Sequence, residues 1–284
     1  MGSITSEVEP VYVTTVGELV SAVTDMSDGR YVLWYRGHSQ ASWDVLPSIW
    51  RGYAPAEERN LTNRFRSRAS IRYSPAPDYD ATASWLALMQ HYGLPTRLLD
   101  WTRSPLIAAY FAMAAAPPGN TRHDGEDAAI WVLHPEILNA RQGFRAVTPP
   151  IDAHMCGSML WPAFSDNAEE TGKVLAVMSS ETDLRMFVQQ GCFTIHSSHT
   201  ALNKRAGHAD FLQPVVVRRE HIPRMVREIN ACGFRRGDLF PDLGNLAEEL
   251  RRSHPPGSYV EERNPQGRGS SERTVQGQGP ALSR

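Results

Sequence analysis

The sequence predicts an α+β fold in a single domain, because short strand-like runs and longer helix-like segments alternate irregularly along the chain. The clearest strand is the continuous aromatic and apolar run 31–35. The clearest helices are 57–73 and 82–92, where apolar residues recur at helical spacing. A doubly wound parallel sheet would require a more regular alternation and is therefore not expected.

Two further helices have start signals. Thr15 and Glu18 form a capping box before a helix at 16–23. Ser104 is placed to cap a helix that has Pro105 in its first position and continues through 106–115. The other predicted helices are 181–188, 221–232 and 245–252, and the other predicted strands are 129–133, 192–196 and 215–217.

Composition divides the chain into three parts. Of its 284 residues, 41% are hydrophobic, which is enough to bury one good core. We expect a flexible N-terminus at 1–10, a folded domain at 11–252 and a disordered tail at 253–284, since the tail offers almost nothing to bury. The segment 115–128 is rich in Pro, Gly and Asn, which predicts a surface loop.

Charge, hydropathy and cysteine usage limit the cellular setting. The net charge of −2 gives no global attraction to nucleic acid or to an anionic membrane. No apolar run approaches the roughly 20 residues that span a bilayer. Cys156, Cys192 and Cys232 are odd in number and far apart, which argues against a disulfide framework. The sequence therefore predicts a cytoplasmic protein without a membrane partner.

The densest group of chemistry-bearing residues is 34–39, where an apolar strand ends in Arg36, Gly37 and His38. The guanidinium of Arg36 offers a planar fork of donors for phosphate or carboxylate. Gly37 allows a ligand to approach the backbone closely, and His38 is suited to a sugar hydroxyl. An equally acceptable interpretation is structural, with Arg36 paired to a buried carboxylate such as that of Asp100.

A second polar group occupies 90–102, between the end of one helix and the start of the next. Asp100 lies between Leu99 and Trp101, so we expect it to be partly buried and to need a partner. One interpretation is a structural Arg–Asp pair that organises a turn. The other is a direct ligand-binding or catalytic role.

Several common enzyme classes are excluded by their missing motifs. The sequence has no G-x-S-x-G nucleophile motif, no Walker loop and no dinucleotide G-x-G-x-x-G motif. Cys192, His196 and His199 do not form the paired clusters of a structural zinc site, and on a strand the two histidines would face opposite sides. No metal is therefore expected.

Three stretches of the chain resemble the FRG domain, a family named for a similar aromatic-Arg-Gly run. The first is Tyr35-Arg36-Gly37-His38-Ser39 with 43–51 after it, and the second runs through 90–112. The third combines 190–194 with 239–243. Together they cover roughly 31–250, which is most of the predicted domain.

The order of these motifs is similar to that of ADP-ribosyltransferases. The resemblance implies a short-stranded split sheet flanked by helices, with NAD as the substrate. In that scheme Tyr35-Arg36-Gly37 is the first NAD-contacting element, and 100–102 leading into 108–112 is the second. The implied catalytic residues are Arg36, His38, Asp100 and Gln190. The implied nucleotide-binding residues are Arg36, Gly37, His38, Tyr92, Arg97, Trp101, Thr102 and Ser104.

The third element departs from the ADP-ribosyltransferase pattern. Where a glutamate is expected, the chain has Gln189, Gln190 and Gly191, and Glu181 lies upstream in a predicted helix. A carboxylate stabilises the oxocarbenium-like state in which the nicotinamide–ribose bond breaks, and an amide cannot supply that charge. Either Asp100 substitutes for the glutamate, or the transfer is slow, or the site only binds.

Three functions remain open on the sequence. The first is an ADP-ribosyltransferase-like effector, of the toxin or phage-defence type, that modifies a protein or nucleic-acid target. The second is a non-catalytic module that recognises a nucleotide or a partner protein. The third is an NAD glycohydrolase.

Overall fold

A seven-stranded mixed sheet organises the molecule. The computed structural model describes residues 8–27, 29, 32–113, 126–179 and 184–256. Within these ranges the strands lie in the order β1-β7-β4-β2-β3-β6-β5, and every neighbouring pair is antiparallel except β1 and β7. The strands are β1 (Val11–Tyr12), β2 (Trp34–His38), β3 (Leu98–Thr102), β4 (Ala128–Leu133), β5 (Val174–Met178), β6 (Gly191–His196) and β7 (Leu212–Val217).

The helices pack mainly on one face of this sheet. They are α1 (Val16–Met26), α2 (Pro55–Ala69), α3 (Thr82–His91), α4 (Pro105–Met113), α5 (Pro135–Arg141), α6 (Gly157–Leu160), α7 (Leu184–Val188), α8 (Ile222–Ala231), α9 (Arg236–Leu239) and α10 (Leu243–Ser253). One apolar cluster joins α1, α4 and α8 to β2, β4 and β7. A second joins α2, α3 and α6 to β3, β5 and β6. A third covers the opposite face, around Trp34, Trp101 and Trp131.

The sheet is nearly divided in its middle. Every residue of β2 pairs with β4 and every residue of β3 pairs with β6, whereas β2 and β3 share a single pair, Tyr35 with Thr102. Beyond that pair, a side chain connects the two halves: Arg36 Nη1 donates to the backbone carbonyl of Asp100 at 2.7 Å. The two half-sheets therefore meet along an incomplete seam.

The expected mixture of helices and short strands is confirmed, with several shifts in position. The strand expected at 31–35 is shifted towards the C-terminus. It is β2, which begins at Trp34 and continues to His38 through its pairing with β4. The helix expected at 57–73 ends at Ala69. The elements β1, β5, α5, α6 and α9 were not predicted, and the residues of 98–102 taken alone were interpreted as a polar connection. That segment is the central strand β3, held by the pairing with β6.

Parts of the domain prediction lie outside the described residues: 1–7, most of the 115–128 loop, Glu181, and 257–284 of the tail. The predicted last helix is present as α10 and extends to Ser253. None of the described helices has the length and apolar character needed to cross a membrane.

Candidate functional site

A cavity of about 310 Å³ lies at the incomplete seam between β2 and β3. Its walls come from both strands, from α3 and α4, and from α7 with the turn that leads into β6. The polar side chains in these walls are Arg36, Ser39, Gln90, His91, Asp100, Thr102, Arg185 and Gln189. The first and second motifs of the sequence therefore do meet in one cavity.

Arg36 is anchored by two hydrogen bonds. Besides the bond from Nη1 to the carbonyl of Asp100, its Nε donates to Nε2 of His38 at 3.1 Å. Burial lowers the pKa of Arg36 to about 10, with the Asp100 charge acting in the opposite direction, so the guanidinium is protonated at neutral pH. Arg36 contacts the backbone of Asp100 and not its carboxylate, which makes the expected Arg36–Asp100 ion pair wrong.

His38 supports Arg36 from behind the cavity wall. The side chain is only 2% exposed and is not among the cavity-lining residues. Burial, and then the charges of Arg36 and Arg51, lower its pKa to about 3. The imidazole is therefore neutral, which leaves Nε2 able to accept the Arg36 hydrogen bond. The structure does not place His38 where it would reach a sugar hydroxyl in the cavity.

Gly37 allows α4 to pack directly on β2. A Cβ at this position would lie 2.1 Å from the carbonyl oxygen of Ala108 and 2.5 Å from the amide nitrogen of Ala112. The close approach that the sequence suggested for a ligand is thus made by a helix. This packing brings Ala108 and Phe111 to the cavity wall.

Asp100 presents its carboxylate to the cavity. It is exposed, in contrast to the expected partial burial, while its four neighbours in β3 are buried. Its Oδ2 accepts from Nε2 of Gln90 at 2.6 Å, and Oε1 of Gln90 accepts from the Thr96 hydroxyl. Among the described residues that line the cavity, Asp100 is the only acid.

Trp101 and Thr102 line the cavity but have structural partners. The Trp101 indole donates to the hydroxyl of Thr194 at 3.0 Å on the buried side of the sheet. The Thr102 hydroxyl donates to the carbonyl of Gln189 at 2.7 Å and accepts from the amide of Ser104. Ser104 caps α4 and is not part of the cavity wall.

Besides His38 and Ser104, three further predicted site residues lie outside the cavity wall. Tyr92 is 57% exposed and is not a cavity residue. Arg97 is buried in ion pairs with Glu58 and Glu170, at 2.6 and 2.8 Å. Gln190 is exposed in the turn before β6, where its backbone has a φ of 48°. The residue beside it, Gln189, lines the cavity instead.

Several wall residues were not predicted from the sequence. Gln90 and His91 lay within the polar stretch 90–102 but were not singled out as ligands. Gln189 was noted only as part of the third motif, and Arg185 had no local signal, because only the packing of α7 brings it to the cavity. Among the described wall residues, two arginines, Arg36 and Arg185, accompany one carboxylate, that of Asp100, and this balance favours an anionic ligand.

The histidines considered as metal ligands have other surroundings. His196 is buried, with Nε2 2.9 Å from the Thr194 hydroxyl, and His199 packs against Trp50 with ring centroids 4.0 Å apart and planes tilted by 43°. Within the described ranges, no group of three or more His, Cys, Asp or Glu side chains is arranged to hold a metal ion.

Residues 32–121 match the family model of the FRG domain. The matched segment contains β2, α2, α3, β3 and α4, and therefore both Arg36 and Asp100. The match supports the FRG family for this part of the chain. No curated protein and no solved structure matches the sequence.

Proposed function

We propose that this chain, which matches the FRG domain over residues 32–121, binds NAD in the cavity and cleaves its nicotinamide–ribose bond, as an ADP-ribosyltransferase-like enzyme does. The observation that carries the proposal is the exposed carboxylate of Asp100, which Gln90 holds in the same cavity as Arg36. The incomplete seam between β2 and β3 fits the split sheet that the sequence resemblance implies.

Asp100 supplies the charge that the chemistry needs. As the nicotinamide leaves, positive charge develops on the ribose, and a fixed carboxylate stabilises it more strongly than water does. The hydrogen bond from Gln90 fixes the carboxylate before substrate arrives. In this proposal Asp100 takes the role of the glutamate that is missing near Gln190.

The rest of the cavity suits the nicotinamide half of NAD. Its volume of about 310 Å³ is at the small end of the roughly 300–1,000 Å³ of small-molecule sites, so it has room for a nucleoside-sized group. Trp43, Phe111 and Phe193 offer apolar surface for an aromatic ring. Arg36 and Arg185 favour the pyrophosphate.

The acceptor of the ADP-ribose distinguishes two activities of the same site. A protein or nucleic-acid acceptor would make the chain a transferase effector, of the toxin or phage-defence type, and water would make it an NAD glycohydrolase.

The cysteines suit a cytoplasmic setting for either activity. Cys156, Cys192 and Cys232 are free thiols, as is usual in the reducing cytoplasm.

A second candidate function is nucleotide binding without turnover. It is favoured by the turn before β6, where Gln189 lines the cavity and its amide is bonded to the carbonyl of Leu239 at 2.8 Å. Among its described residues, this wall therefore contributes the Gln189 amide, which is already hydrogen-bonded, and no carboxylate.

The test is to incubate the purified protein with NAD and to follow free nicotinamide. Asp100→Asn keeps an oxygen for the Gln90 hydrogen bond but removes the charge, so release should fall about a hundredfold while the protein stays folded. Asp166→Asn, at an exposed site outside the cavity, is the matched control. Saturable NAD binding without release would favour the binding module. Absence of both binding and release would overturn the proposal.

A further inference from the structure

A second concave surface, of about 710 Å³, lies on the other side of α3. Ala87, Gln90 and His91 face the NAD cavity, whereas Leu88 and Tyr92 line this second surface together with α2. We refer to it as the α2–α3 groove. It shares no lining residue with the cavity at the seam, so it is a separate site on the same helix.

The floor of the groove is apolar. Leu61, Phe65 and Ala69 follow one another at four-residue spacing along α2, so they lie on one face of the helix. Leu88 and Leu94 line it from the α3 side. Apolar surface of this kind, open to solvent and rimmed by polar groups, is typical of a site that binds another molecule.

Three arginines run along the same groove. Arg64, Arg68 and Arg72 repeat the four-residue spacing, each three residues after a floor residue, and all three are exposed. Arg72 donates to the backbone carbonyl of Arg68 at 2.7 Å. Within the described part of the chain none of the three forms an ion pair with a carboxylate.

Several exposed arginines on other helices are neutralised locally. Arg224 pairs with Glu228 on α8, and both Arg251 and Arg252 pair with Glu248 on α10. The groove gathers three arginines, and none of them is paired with a carboxylate in the described ranges. Their charge is complementary to an acidic partner.

We propose that the α2–α3 groove binds an amphipathic helix of an acidic partner protein. The floor from Leu61 to Ala69 covers eight residues of rise, about 12 Å, which is roughly two turns. A partner helix with apolar anchors at i, i+4 and i+7 spans a similar length. Glu or Asp residues flanking those anchors reach the three arginines.

Two other occupants fit the groove less well. Single-stranded nucleic acid binds on flat aromatic platforms, but much of this floor is aliphatic, and the rings of Tyr73 and Tyr92 meet edge to face, 6.5 Å apart. The chain's own segment 257–284 contains four arginines and three glutamates, so it is not acidic.

The experiment measures binding of a fluorescent synthetic peptide helix with leucine anchors and flanking glutamates. We expect saturable binding that becomes at least about tenfold weaker in Arg68→Glu, because a like charge then faces the peptide. Arg227→Glu, on the exposed face of α8, makes the same change in net charge and should bind like the wild type. Thermal melting of both variants checks that the fold is intact.

Four outcomes would overturn the proposal. Equal binding of a peptide with lysines in place of the glutamates would remove the charge argument. Equal weakening by Arg227→Glu would show a general charge effect. Binding of an oligothymidine with no binding of the acidic peptide would assign the groove to nucleic acid. A wild-type dimer that Arg68→Glu converts to a monomer would assign it to a second copy of this chain.

Discussion

Arg36 and Arg97 come from the two most polar motifs of the sequence, and their surroundings differ. Arg97 is fully buried, and its guanidinium is used by Glu58, Glu170 and the carbonyl of Met159. Arg36 is partly exposed at a cavity wall and bonds a backbone carbonyl and a neutral imidazole. The partners of an arginine, and not the residue type, decide whether its charge serves the fold or is directed at a ligand.

The largest expected effect is on the buried ion pairs. Arg97→Met leaves the carboxylate of Glu58, which is 1% exposed, without a cation, so the free energy of unfolding should fall by about 3–5 kcal/mol. Urea denaturation measures the loss. Arg224→Met, which breaks a surface pair with Glu228, is the control and should cost less than about 1 kcal/mol. If Arg97→Met also cost less than about 1 kcal/mol, Arg97 would not be a structural arginine and its contrast with Arg36 would disappear.

Acid should destabilise the surroundings of Arg36 through two histidines. Burial, followed by nearby arginine charges, lowers the pKa of His38 and of His196 to about 3. The unfolded chain takes up these protons near pH 6.5 and the folded chain does not. This contribution to stability is complete above that pH and is lost as the pH falls towards 3. From about pH 7 to about pH 5.5 the two histidines together should cost about 2.5 kcal/mol.

Denaturation at a series of pH values measures this slope. Replacing one of the two groups, in His196→Gln, should reduce the slope by about half, because a single buried histidine of the pair then remains. A slope that is unchanged in His196→Gln would show that other groups govern acid stability.

Removing the charge of Arg36 should have a smaller effect on the fold. Arg36→Met breaks two hydrogen bonds but leaves no carboxylate unpaired, so we expect a loss of about 1–2 kcal/mol in the free energy of unfolding. The same variant should lose NAD binding if the proposed function is correct. A destabilisation as large as that of Arg97→Met would place Arg36 with the structural arginines.

The local signals of the sequence identified several residues of the site but not the distant residues with which they pair. The end of α3 was predicted from Gly93, which has the positive φ of 76° that glycine accepts readily. The residue pattern alone did not identify the strand β3, because its polar residue Asp100 hides a pattern that depends on pairing with β6. The acids that hold Arg97 lie 39 and 73 residues away in sequence, a separation that no local pattern reveals.

The smallest effect is expected at Gln90, which connects the two regions. Its side chain accepts from Thr96, next to Arg97, and donates to Asp100 in the cavity. Gln90→Leu leaves the Asp100 carboxylate without this donor, so nicotinamide release should fall about tenfold. Thr96→Val breaks the other half of the bridge and also the bond from the Leu98 amide, so it should lower stability by about 1–2 kcal/mol with little change in rate.

A double-mutant cycle decides whether Gln90 acts through Asp100. Asp100→Ala removes the group that Gln90 positions, so adding Gln90→Leu to it should cause no further loss of rate. If Gln90 instead contacts the substrate on its own, the two losses should multiply. Because Gln90 and Asp100 both line the cavity, contact distance alone does not separate these roles, and the coupling between the two substitutions does.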